Sequence, residues 1–447
     1  MKFVYIASMV FLLTGCTSSS IDYKVKSENP EFIHRSLRAI TDRIVHDIFS
    51  PPVASRIYAY SSVAAYEAII HQDSSYVSLA GQLHGLENSP QPEEGQEYCY
   101  TLAATEAMLR VGKALIFSEE DLQGEYDKIM SDFKKTGIPD DVFERSITYG
   151  NAVAAHILNW SSGDNYKQSR SFPKYSISMN PATWRPTPPA YMDAIEPHWN
   201  KIRTFVMDSA AQFKPAPPTQ FSLDKASTFF KEATEVYEVG KNLTDEQRDI
   251  AFFWDCNPFM MNIQGHVMFA TKKISPGGHW INITRAVCTK AGKDAVFTAE
   301  AYARVSLSLV DGFISCWDEK YRSVLVRPET YINQYIDENW VPVLQTPPFP
   351  EYTSGHSVIS NAASIALTKL MGENVAFMDS TEVEFGLTAR SFKSFKEAAA
   401  EASISRLYGG IHYRPAVEVG ASQGIQIGEF IASKIKTRKE DDKTTIQ

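Results

Sequence analysis

The chain has 447 residues, 44% of them hydrophobic, and a formal net charge of −9. That length and apolar content support a large buried core and exclude a disordered or low-complexity protein. The acidic balance speaks against a nucleic-acid partner and means that any anion site must be assembled from locally clustered cations.

The first stretch, MKFVYIASMVFLLTGC, holds one Lys, an apolar run from Phe3 to Leu13, and then Leu13-Thr14-Gly15-Cys16. The run is short for a membrane span and ends in small residues before a cysteine. It resembles a bacterial lipoprotein signal over residues 1–15. That resemblance implies cleavage before Cys16, a lipid on Cys16, and a tether over residues 16–30. The expected location is the bacterial cell envelope, on its periplasmic or extracellular face, with the membrane touched only through the anchor.

Beyond it the apolar spacing is helical nearly throughout. Leu37, Ile40, Ile44 and Ile48 share one helical face, and Ser50-Pro51 opens a second helix that runs to Ile70. Leu122, Tyr126, Ile129 and Phe133 mark another, opened at Ser118 and ended by Gly137. Between residues 161 and 219 the pattern dissolves into Pro-rich sequence, including WRPTPP and KPAPPTQ, too long for a bare loop. Thr244 with Gln247 forms a capping box ahead of Ile250, Phe253 and Trp254. The longest helical pattern spans about Asp294 to Val324, and strand-like alternation is scarce. The expected fold is all-α, with two helix bundles packed into one unit. The N-terminal bundle covers 31–219 with the Pro-rich wrap at its end. The C-terminal bundle covers 220–437, and a polar tail covers 438–447.

Cys99, Cys256, Cys288 and Cys316 show no CxxC spacing, so pairing stays open and no function is assigned to them. His266 and His279 lie thirteen apart with no third ligand at metal spacing, and both read as structural. The sequons at Asn159, Asn242 and Asn282 read as chance beside a bacterial signal.

Three C-terminal segments carry chemistry. Lys320-YRSVLV-Arg327-Pro328 places two cations around the end of the long helix. On its own this is an ordinary pairing of cations with a helix C-terminus. PPFPEYTSGHS, residues 347–357, places Ser354, Gly355 and His356 at the N-terminus of the next helix. Unpaired N–H groups and the helix dipole favour an anion there, and Gly355 allows close backbone approach. SRLYGGIHYRP, residues 405–415, holds Arg406 and His412 six residues apart. On a regular helix they would be rotated by about 600°. The break at Gly409-Gly410 lets both reach one ligand. Together the segments supply three cations, a helix N-terminus, a serine hydroxyl and two histidines, an inventory suited to a tetrahedral oxyanion.

The order K-x6-RP, SGH, SR-x5-H resembles the vanadium-dependent haloperoxidases and the type 2 phosphatidic acid phosphatase superfamily they share with class A acid phosphatases. The resemblance leans to bacterial, iodoperoxidase-like members, whose layout matches FFWDCNP around Trp254 and the WRPTPP segment. It covers about the last 200 residues in motif detail and the rest in layout. It implies a vanadate cofactor whose oxygens meet Lys320, Arg327, Arg406, Ser354 and the Gly355 amide. It also implies His412 as the axial vanadium ligand and His356 as the acid–base group. Trp317 and Phe349 fall where the family places aromatics by the halide, though taken alone both read first as core packing. The implied reaction oxidises halide with hydrogen peroxide to hypohalous species, iodide favoured and bromide possible. Asp255 is a candidate partner for a site arginine.

The chain departs from the pattern at Thr353, where many members carry Pro. It departs also at Ala416, where the phosphatase motif H-x3-D carries an Asp that activates the nucleophilic histidine. The alternative is a histidine acid phosphatase acting on phosphomonoesters, which would need Glu418 or another carboxylate as substitute. A third is an oxyanion-binding lipoprotein without turnover.

Overall fold

The computed structural model describes residues 23–439 apart from 265 and 266. The lipoprotein-like signal with Cys16, His266 and residues 440–447 of the polar tail lie outside the described residues. The described residues are mainly helical, as the apolar spacing predicts. The N-terminal helices are α1 (Glu31–His46), α2 (Pro51–Ile69), α3 (Tyr100–Leu115), α4 (Glu119–Lys135), α5 (Asp140–Ser162) and the single turn α6 (Tyr166–Ser169). After a long irregular stretch come α7 (Thr228–Lys241), α8 (Asp245–Phe253), α9 (Pro276–Lys290), α10 (Ala295–Ser323), α11 (Pro328–Tyr335), α12 (Gly355–Met371), α13 (Phe395–Tyr408) and α14 (Arg414–Lys434). Two small antiparallel hairpins interrupt them: β1 (Met261–Gln264) with β2 (Val267–Ala270), and β3 (Phe377–Asp379) with β4 (Arg390–Phe392).

Local chemistry sets the helix starts. Pro51 and Pro52 occupy the first turn of α2, where their missing N–H groups cost nothing. Thr244 and Gln247 close the capping box of α8. Asp294 caps α10 by accepting the Phe297 N–H at 2.8 Å. Ile48 falls outside the first helix, since its φ of 55° lies in the left-handed region and turns the chain toward α2.

Helix α10 is the spine. With 29 residues it is about 43 Å long. It packs on α2 in the N-terminal half and on α12 in the C-terminal half. One continuous apolar core therefore runs from Phe32 and Tyr58 through Trp280 and Phe313 to Ile427. Helix α14 lies against α12 through Gly420, Gly424 and Gly428. A Cβ at Gly424 would fall 2.1 Å from the Val358 carbonyl oxygen, which only displacement of a whole helix relieves. Overpacking of this kind costs ~1–3 kcal/mol or more. The close approach also lets the Ser354 N–H reach the Ala416 carbonyl at 3.0 Å, which ties the start of α12 to the start of α14.

The Pro-rich stretch wraps the spine. The backbone N–H groups of Phe205, Val206 and Met207 all donate to the Asp311 carboxylate of α10. The Ile195 carbonyl accepts from the Trp317 indole at 3.2 Å and from the Tyr321 hydroxyl at 2.5 Å. The Ile195 N–H donates to Pro348, so the same stretch pins the 347–350 loop.

Candidate functional site

Three breaks between helices converge on one spot. Lys320 projects from the last turn of α10, and Arg327 is the residue that opens α11. Between them Val324 takes a left-handed conformation with φ of 48°, a strained choice for a β-branched residue at about 1–2 kcal/mol. Ser354 caps α12 by accepting the Ser357 N–H, and Gly355 and His356 form its first turn. Arg406 sits in the last turn of α13. Gly410, with φ of 76°, then turns the chain so that His412 lies on the connection to α14.

His412, Arg406, His356, Gly355, Trp317 and Phe349 line one narrow cleft. Lys320, Arg327 and Ser354 lie behind its wall with 0% exposure. The structure thus gathers all nine predicted residues around a single cavity. The Trp317 and Phe349 ring centroids are 4.9 Å apart, and the Arg327 guanidinium sits 5.1 Å from the Phe349 ring.

The hydrogen bonds assign the protonation of His412. Its Nε2 lies 3.1 Å from Arg327 Nη1, and a guanidinium can only donate, so Nε2 carries the lone pair. Its Nδ1–H then donates to Glu351 Oε1 at 2.8 Å, an oxygen that also accepts the Tyr413 N–H. Burial, and then Arg327, Lys320 and Arg406, hold the His412 pKa well below its ordinary value. His356 is held well below as well, by burial and by Arg406. Both imidazoles are neutral at pH 7.

The cations are short of partners. Arg327 donates through Nε to Phe349 and through Nη1 to Ile411, both main-chain carbonyls. Arg406 donates through Nη1 to the Trp254 carbonyl. Burial lowers the pKa of both, Arg327 to about 10, which leaves them cationic at neutral pH. Lys320 Nζ donates to the carbonyls of Pro350, Glu351 and Thr353 at 3.0, 3.0 and 2.6 Å. Burial pulls its pKa down to about 7. Three acceptors need three N–H donors, which only the ammonium has, so the carbonyls work against that burial. Lys320 therefore offers the cleft its charge, with its donors already used.

Among the described residues, Arg327 Nη2, Arg406 Nε and His356 Nε2 are buried polar atoms with no hydrogen-bond partner. Unsatisfied buried donors cost about 1–3 kcal/mol each, more when charged. Arg406 Nε and His356 Nε2 left open at the cleft, with Arg327 Nη2 open behind its wall beside His412, fit a tetrahedral oxyanion such as vanadate or phosphate.

Two expectations need correction. Asp255 pairs with Lys273 at 2.5 Å and makes no hydrogen bond to a site arginine, although its charge favours the ionised Arg406. Ala416 does not leave His412 without a carboxylate, because Glu351 supplies one from a different loop. Glu418, the substitute considered from sequence, is exposed and pairs with Arg414 instead. Glu351 was invisible as a partner because it lies 61 residues from His412 in the chain. The four described cysteines are all buried and unpaired. No described helix is long and apolar enough to cross a membrane.

Residues 300–440 match a family model described as the VCPO second helical-bundle domain. The chain is also similar to the crystal structure of the first bacterial vanadium-dependent iodoperoxidase. The two share 50% identity over 93% of this chain and 98% of that one, with a TM-score of 0.88. The holo and apo forms of a bacterial vanadium-dependent chloroperoxidase match at 17% and 16% identity with TM-scores of 0.67 and 0.64. They cover 87% and 86% of this chain and 93% and 94% of theirs, and show the shared fold. No curated protein sequence matches the chain.

Proposed function

The chain belongs to the vanadium-dependent haloperoxidase family, and on that premise we propose that it oxidises iodide with hydrogen peroxide at a vanadate held in this cleft, bromide being a poorer substrate. One observation carries the reading: buried arginine donors stand open beside a neutral histidine whose Nε2 lone pair lies against one of those guanidinium groups. When bound, vanadate supplies a Lewis-acidic centre that activates peroxide toward halide.

The rest is done by the protein's own groups. Arg327 Nη2 and Arg406 Nε donate to the oxyanion, and Lys320 adds charge from behind the wall. The Gly355 N–H is one of the first donors of α12, which have no intrahelical partner, and the Ser354 hydroxyl lies beside it. His412 presents Nε2 as the ligand atom, with Glu351 fixing the tautomer from the other side of the ring. His356, neutral and unpartnered at Nε2, takes a proton from the incoming peroxide and returns it to the departing oxygen. Trp317 and Phe349 give the halide an apolar wall, which suits the weakly hydrated iodide.

The Glu351–His412 pair also favours a second reading, phosphomonoester hydrolysis with His412 Nε2 as nucleophile, since phosphate and vanadate share one shape. Purified protein assayed with vanadate, peroxide and each halide, and in parallel with a chromogenic phosphoester, separates them. Vanadate-dependent iodide oxidation is expected. Phosphatase turnover without halide oxidation would overturn the haloperoxidase reading. The lipobox-like end supports an envelope tether at Cys16, to be checked by mass spectrometry for a diacylglyceryl group on that cysteine.

A further inference from the structure

Beside the cleft, three elements bring unlike side chains to one buried point. Cys256 follows α8, His279 lies in the first turn of α9, and Glu382 lies in the turn after β3. All three are buried, with exposures of 1%, 0% and 3%. His279 Nδ1 is 3.4 Å from Cys256 Sγ and 3.2 Å from Glu382 Oε1, and the sulfur is 3.9 Å from that same oxygen. Among the described residues no other trio of metal-ligating side chains brings its donor atoms this close.

We propose that Cys256, His279 and Glu382 bind a divalent transition metal, zinc foremost, with Asp379 orienting the histidine. The geometry points there first. Metal–donor distances of about 2.0–2.3 Å in a tetrahedral site separate neighbouring donors by about 3.3–3.6 Å. The three observed edges bracket that range, and the point equidistant from the three atoms lies about 2 Å from each.

The far side of the ring agrees. His279 Nε2 is 2.7 Å from Asp379 Oδ2, and the other oxygen of that carboxylate accepts the Thr381 N–H at 2.9 Å. With Nε2–H given to Asp379, Nδ1 is the ligand atom, and a bound metal takes the place of the Nδ1 proton that faces the Glu382 carboxylate, the usual arrangement behind a metal-bound imidazole. The Trp254 ring, stacked on His279 at 4.5 Å, holds it in that plane. Charge balances as well. A thiolate and a carboxylate neutralise a divalent ion, the neutral imidazole adds nothing, and soft sulfur with borderline nitrogen favours zinc over magnesium or calcium. Binding displaces the thiol proton and the Nδ1 proton of His279 to solvent, so affinity rises with pH.

The ion would tie α9 and the β3 turn to the segment carrying Cys256. That cysteine lines the oxyanion cleft, and its neighbour Trp254 accepts the Arg406 hydrogen bond. The role is structural support of the cleft wall, separate from the oxyanion chemistry.

The test uses the full protein without vanadate, peroxide or halide, so its outcome is independent of the haloperoxidase reading. Metal content is measured after purification without chelators. Chelator-treated protein is then titrated with Zn2+ by calorimetry and with Co2+ by absorption. One equivalent of metal per chain, a higher Tm on Zn2+ addition and a thiolate-to-cobalt charge-transfer band are expected. The band should vanish in Cys256→Ser, and Glu382→Gln should weaken Co2+ binding at least about tenfold. If either variant fails to fold, the wild-type titrations still decide. Absence of both purified metal and titratable binding overturns the proposal and leaves a cluster in which His279 is an imidazolium between two carboxylates. A band that survives in Cys256→Ser overturns it too, by placing the ion elsewhere.

Discussion

Two buried arginine sites in this protein follow opposite rules. In the N-terminal half, Arg56 of α2 donates through Nε to Asp164 at 2.5 Å, and Tyr60 donates to the same carboxylate oxygen. Its guanidinium also reaches the Ser161 carbonyl and lies 4.5 Å from the Tyr166 ring. In the C-terminal half, Arg327 and Arg406 are as deeply buried, yet neither bonds a carboxylate, and each keeps an unpartnered donor. Glu351, whose charge acts on Arg327, spends one oxygen on His412 and the Tyr413 N–H, and Asp255, whose charge acts on Arg406, pairs with Lys273. A buried cation with its own counter-ion closes a structure. Buried cations without one store a cost that an anion from solution repays. The contrast separates a structural ion pair from an anion site before any ligand is known.

The strongest way to break that contrast is His412→Ala, which removes the one lone pair facing the cations. Vanadate-dependent iodide oxidation should fall roughly 10³-fold or more, and Tm in the absence of vanadate should fall too, because buried Glu351 loses its imidazole donor. Steady-state kinetics and thermal melts on the same preparation check both halves.

Next comes the matched pair Arg56→Ala and Arg406→Ala. Removing Arg56 strands Asp164 and should cost about 3–5 kcal/mol of stability in denaturant titration, with kcat/KM of the folded fraction unchanged. Removing Arg406 should weaken vanadate binding about 10²–10³-fold and leave the vanadate-free protein equally or more stable. If Arg406→Ala destabilises as much as Arg56→Ala, the two sites are alike and the contrast fails.

Glu351→Ala tests the support behind His412 and should cost about 10–100-fold in vanadate affinity. The smallest effect concerns pH. Burial depresses the Lys320 pKa to about 7, and a bound anion favours its charged form. Lys320 is therefore charged below that value and loses its proton above it. Vanadate affinity should fall as pH rises through about 7 in the wild type. Lys320→Met should bind more weakly throughout and show a shallower slope over the same interval, read by equilibrium titration.

Much of the fold was legible because helices are written locally. The capping box at Thr244 and Gln247, the prolines opening α2 and α14, and the apolar stripe of α10 each act within a few residues, and the structure repeats them. The order of the three cation- and histidine-bearing segments was legible too, and they meet at one cleft. Glu351 was on the page inside PPFPEYTSGHS, yet nothing local shows that it faces His412. Ala416 shows only that no carboxylate stands four residues after His412: a motif records where one lineage keeps its carboxylate, whereas the imidazole needs only an acceptor at hydrogen-bond distance. His279 looked isolated on similar grounds, because Cys256 and Glu382 lie 23 positions before it and 103 after it.

By itself the sequence determined the helices, their caps and breaks, and the stock of cations, histidines and small residues, since all of these depend on neighbours three or four positions apart. Only the tertiary structure decided which donors stay unpaired, which carboxylate serves His412, and how closely α14 approaches α12 at Gly424. Those outcomes depend on the packing of distant segments and on what burial does to a charge, and periodicity along the chain carries neither.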